Sequence, residues 1–207
     1  MLGRKFIMGE AFGFGWSAMK KNFLFFAALL IFSVIFKVVE NMISESIKNY
    51  PFVALGTALI FVFVQILVSM IFTKVSLQVS NNEAAGSGDF FSFLNSYFSF
   101  LGASILYGLI VAGGLILLIV PGIIWAIKFS QYGYIIVDKS VGPIQALKES
   151  WKITGGSEWN LLGFSFLLAL INLAGLICLI IGLFVSVPVT TVAAAYVYRK
   201  ISAQTPA

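Results

Sequence analysis

The chain contains no histidine and a single cysteine, Cys178, set in an apolar run. Those two facts remove most catalytic and metal chemistry. A metallohydrolase needs His, Cys or grouped carboxylates, and the 8 acidic residues are scattered outside the centres of the apolar segments. A serine nucleophile needs a base, and there is no imidazole to act as one. The sequence therefore reads as non-enzymatic, with no cofactor and no metal. What remains is a set of polar groups in apolar surroundings: Lys37, Lys128, Gln65, Gln131 and Asn172. Ionisable groups inside a bilayer are the first place to look for function. These five could line a polar cavity with a cationic outer end. Alternatively, the lysine stems snorkel to the interface and the amides join neighbouring helices by hydrogen bonds.

A second set pairs aromatic with basic residues. Phe12, Trp16 and Met19 have helical spacing and are followed by Lys20 and Lys21, while Ile144, Leu147 and Trp151 are flanked by Lys148 and Lys152. Between them, Phe90, Phe91, Leu94, Tyr97 and Phe98 share one helical face. Trp159 opens the apolar run that follows. Such stretches suit helices lying on a leaflet, with rings inserted and ammonium groups toward head groups. Tyr132, Tyr134, Tyr196 and Tyr198 fit the aromatic belts at a membrane boundary.

The elements that carry these groups follow from composition and length. Sixty per cent of the 207 residues are hydrophobic, 10% are charged and the mean hydropathy is +1.02, which places the chain in the membrane class. Lysine and arginine number 13 against 8 acids, and they sit mostly beside apolar runs rather than on a face of their own, so a nucleic-acid partner is not expected. From Phe100 to Ile127 there is no charge, and apolar character continues to Val137 with only Lys128 interrupting. One helix over residues 100–138 would be roughly 58 Å long at ~1.5 Å per residue, against a hydrocarbon core of ~30 Å. The segment must double back, and Pro121-Gly122 is the strong breaker near its middle. Residues 160–198 repeat the problem, with Gly182 as the turn and Pro188 as a kink. Spans at about 22–41 and 51–73 complete six transmembrane helices in three hairpins.

Shifting the sequence by 61 residues lays 101–119 over 162–180 without a gap, and 11 of 19 positions agree, among them Gly102/Gly163, Ser104/Ser165 and Gly114/Gly175. The fold predicted is thus an all-α integral membrane protein of three parallel hairpin repeats, each preceded by an amphipathic interfacial helix. The units are about 1–80, 81–140 and 141–207 of one membrane domain. Even numbers of spans keep the units parallel, unlike the inverted repeats of many transporters. Gly102, Gly113, Gly114, Gly163 and Gly175 are expected at close helix contacts. Basic residues put both termini in the cytoplasm, with Lys20, Lys21, Lys148 and Lys152 on that side and Lys37 and Lys48 opposite.

The run from Pro121-Gly122 through Asp138, Ala146-Leu147, Ser150-Trp151 and Trp159 resembles an uncharacterised bacterial six-span family related to the membrane domain of glycerophosphoryl diester phosphodiesterases. The resemblance covers roughly residues 85–200, with the first hairpin matching loosely. It implies a six-span fold and a place in the bacterial cytoplasmic membrane. Its motifs are structural, and no phosphodiesterase activity follows from them. The function expected is a lipid- or envelope-associated accessory or scaffold protein, whose partners are membrane lipid and a membrane protein or a second copy. The alternative is a small transporter or channel.

Overall fold

The computed structural model describes residues 6–86, 94–178 and 182–204. Among them are nine helices and no strand: α1 (Met8–Lys21), α2 (Phe23–Ile47), α3 (Pro51–Ser80), α4 (Tyr97–Leu117), α5 (Ile119–Phe129), α6 (Tyr132–Lys139), α7 (Pro143–Thr154), α8 (Glu158–Ile177) and α9 (Leu183–Ala203). Only Ser130 and Gln131 separate α5 from α6, so the two form one kinked rod, Ile119–Lys139. By length and composition, five helices are apolar enough to cross a membrane: α2, α3, α4 with its preceding turn from Leu94, the α5–α6 rod, and α8. That is compatible with a multi-pass membrane protein. Their surfaces agree with it, since Phe52, Ile116 and Leu24 are each more than four-fifths exposed. Apolar surface on this scale marks a membrane or partner contact.

The helix in the place of the sixth predicted span, α9, does not reach the same apolarity. Its composition explains why. Ten of its 21 residues are buried, including Ser186, Pro188, Thr190, Ala193 and Ala195, and it packs against α1, α3 and α8. A helix ringed by other helices is selected for small and hydroxyl side chains that permit close approach, not for oil-facing bulk. By contrast, α2 buries only Phe26, and α3 buries nothing before Met70.

The middle hairpin reverses at Leu118, whose backbone is extended (φ −161°, ψ 139°), three residues before the predicted Pro121-Gly122 turn. Pro121 instead occupies the first turn of α5, where its missing N–H breaks no helical hydrogen bond. Gly122 serves the packing. A Cβ on Gly114 would stand 2.8 Å from the Gly122 Cα. The last hairpin closes in the same manner, with Gly175 beneath Gly182, the residue that caps α9. The rest of that turn, 179–181, lies outside the described residues, as do 87–93, which include Phe90 and Phe91 of the amphipathic stretch predicted before the second hairpin, while Tyr97 and Phe98 of that stretch open α4.

Helices form over two of the three predicted amphipathic stretches, and both dock inward on a face that includes small residues. In α1 the buried face is Ala11, Gly15, Ala18 and Met19, and Gly15 lies so close to α9 that a Cβ would fall 2.5 Å from the Val189 carbonyl. In α7 the buried face is Ala146, Leu147, Ser150, Ile153 and Thr154. Of its predicted apolar set only Leu147 turns in, while Ile144 and Trp151 stay exposed. Two of the aromatic-belt tyrosines are also corrected: Tyr134 stacks on Tyr198, which is buried and donates its hydroxyl to Asp138 Oδ2 at 2.9 Å.

Candidate functional site

The break between α5 and α6 leaves backbone groups without helical partners, and α7 supplies them. Ser150 Oγ donates to the Lys128 carbonyl (2.8 Å) and accepts from the Gln131 N–H (3.1 Å), while Thr154 Oγ1 donates to the same Lys128 carbonyl (3.1 Å). Ser150 and Thr154 are four residues apart and so share one face of α7. This docking fixes Lys128. Its ammonium lies 3.9 Å from the centre of the Trp151 ring and 3.3 Å from Glu158 Oε1. Both charged side chains are largely covered, at 18% and 28% exposure. Glu158 begins α8, where the positive helix end favours a carboxylate. The turn that delivers it depends on Gly156, whose φ of +80° is unsuited to other residues.

From this ion pair a groove of about 560 Å³ runs between α5 and α8. Val120, Ile123, Ile124 and Ile127 form one wall and Leu162 part of the other, with Lys128 and Glu158 at one end and Trp159 on the rim. Trp159 is 79% exposed. The arrangement offers an apolar channel with one cation and one anion at its mouth. It suits binding of an amphiphile.

The other predicted polar residues do not join Lys128 there. Lys37 is exposed on α2 and pairs with Glu40 at 2.9 Å. Gln65 is exposed on α3. Gln131 is buried at the helix break, where its Nε2 donates to Ser130 Oγ and its Oε1 has no hydrogen-bond partner among the described residues. Asn172 hydrogen-bonds Thr190 across α8 and α9 at 3.2 Å, the interhelical role weighed for it. Among the interface residues, Trp16 is half exposed with Lys20 over its ring at 5.1 Å, and Lys21, Lys148 and Lys152 are exposed. Trp16 also borders a second apolar groove of about 440 Å³ between α1, α8 and α9, together with Phe12, Cys178, Gly182 and Ser186.

Sequence reasoning missed Glu158 and Thr154, and it noted Ser150 only as part of a family motif. The pairing of Lys128 with Glu158 spans 30 residues and two units, which no local periodicity reveals. A Ser-x-x-x-Thr face on an otherwise solvated helix was the available signal for the docking. Comparison of the chain with protein-family models, with curated proteins and with solved structures finds no match, so function rests on this geometry.

Proposed function

We propose that the protein is a non-enzymatic multi-pass protein of the bacterial cytoplasmic membrane that engages lipid, serving as an accessory or scaffold component of the envelope. The observation that carries this reading is the Lys128–Glu158–Trp151 cluster at the mouth of an apolar groove, on a body whose long helices expose oily surface. In this reading α9 crosses as the sixth helix, shielded by its neighbours, and the two glycine-closed hairpins are copies of one unit. Exposed Trp16, Trp151 and Trp159, with Lys20, Lys21, Lys148 and Lys152 nearby in sequence, sit at the head-group level.

A transporter reading requires the five polar groups to share a wet path, and their separate placements give it no support. The chain has four tryptophans, which makes a direct test possible. In proteoliposomes, variants retaining only Trp16, Trp151 or Trp159 should be quenched by phospholipids brominated near the glycerol end of the chain. Quenching by aqueous iodide alone would overturn the proposal.

A further inference from the structure

We infer that the groove between α5 and α8 seats one phospholipid bearing a primary ammonium beside its phosphate, a phosphoethanolamine head group. This rests on the lipid-engaging reading above and names the ligand of that same site. The apolar wall from Val120 to Lys128 is roughly 12 Å long at ~1.5 Å per residue, close to the ~15 Å depth of one leaflet's hydrocarbon. The groove volume of about 560 Å³ is that of a small-molecule site rather than of an ordinary packing defect.

Charge selects the head group. Lys128 and Glu158 together carry no net charge, so a purely anionic lipid would meet Glu158 repulsively and a cationic amphiphile would meet Lys128 in the same way. A zwitterion can place phosphate on Lys128 and ammonium on Glu158, and it leaves no uncompensated charge in a poorly screened setting. The existing pair stands at 3.3 Å, longer than the ~2.7–2.9 Å of a well-made charge-assisted hydrogen bond, so it has capacity to accept such partners. A primary ammonium donates N–H bonds to a carboxylate, which a quaternary ammonium cannot do. Trp159, which follows Glu158 in α8, also lines the groove and adds an aromatic ring where a ligand ammonium would sit.

The test is binding of lipids to the detergent-purified full chain, read by native mass spectrometry at equal added lipid. The probes are phosphatidylethanolamine, phosphatidylcholine and phosphatidylglycerol with matched acyl chains. We expect one tightly held phosphatidylethanolamine, favoured about tenfold or more over each of the others, as an added charge-assisted hydrogen bond would give. Glu158→Gln should abolish that preference, and Lys128→Met should weaken every phospholipid. Ile124→Trp should block the groove while leaving the charges in place. Equal retention of the three lipids, or unchanged preference in Glu158→Gln with normal melting, would overturn the assignment. Tryptophan quenching by brominated lipid would persist in that case, so loss of the site and loss of the broader reading are separable.

Discussion

Lys128 sets its ammonium 3.9 Å from the centre of the Trp151 ring, so a residue of the α5–α6 rod is clasped by the one aromatic that α7 contributes. Glu158 holds the same ammonium from the side of α8. Three helices therefore meet on one cation. Because both ionic side chains are mostly covered, removing one leaves the other poorly solvated, whereas removing both relieves the conflict. A double-mutant cycle with Lys128→Met and Glu158→Gln, read by thermal unfolding in detergent, should give a coupling of about 1 kcal/mol. Strict additivity would mean that the pair contributes nothing.

The hairpin glycines predict a sharp contrast. A Cβ at Gly175 would lie 2.4 Å from Ser186 Oγ, and one at Gly114 would lie 2.8 Å from both the Gly122 Cα and the Trp125 ring. Gly113 has nothing within 4 Å. Gly114→Ala and Gly175→Ala should each cost about 1–3 kcal/mol through overpacking. Gly113→Ala should be neutral or slightly stabilising, by up to about 1 kcal/mol of helix propensity. Urea or thermal melts of the three variants check the order.

Ser150 is fully buried and ties the Lys128 carbonyl to the Gln131 amide. Ser150→Ala leaves the buried Gln131 N–H without its acceptor and takes one of two donors from the Lys128 carbonyl, which costs about 1–3 kcal/mol. The amide of Gln131 should then exchange with deuterium faster than in wild type, since its acceptor is gone. Thr154→Ala should perturb less, because the Lys128 carbonyl keeps Ser150 as a donor. Unchanged protection at Gln131 in Ser150→Ala would refute the account of how α7 is docked.

How much of this was legible in the sequence depends on the kind of force involved. Fold-back follows from length against bilayer thickness, and of the six predicted spans α2, α3, α4, the α5–α6 rod and α8 are long and apolar as that argument requires, whereas α9 is not. Gly114 and Gly175, aligned by the 61-residue shift, both lie at close contacts, while Gly113, beside the first of them, faces open space. Inside and outside were not legible. In a bilayer-like setting apolar residues suit both lipid and protein neighbours, so bulk does not mark the buried face. That is why the apolar Trp151 of α7 points outward, and why Ser150 and Thr154, which no apolar periodicity marks, are the residues that fasten it. Lys128 was singled out, but its partner Glu158 belongs to another unit, and pairing of that kind is a product of tertiary packing alone.

The crossing of α9 is the point on which the six-span reading turns, and Cys178 gives direct access to it. As the only cysteine of the chain, exposed at the C-terminal end of α8, it reports one end of the last hairpin. In a Cys178→Ser background, Gln204→Cys reports the far end of α9, whose 21 residues span about 31 Å at ~1.5 Å per residue, enough for one crossing. If α9 spans, a membrane-impermeant maleimide added to intact spheroplasts should label Cys178 and spare Cys introduced at position 204 until the membrane is permeabilised. Positive charge at Arg199 and Lys200 would then favour that end on the inside. Labelling of both positions from the same face would leave α9 on one side of the bilayer and make the number of crossings odd. The Asn172–Thr190 bond would then have to form outside the hydrocarbon, where water competes for both groups and the pair stabilises little.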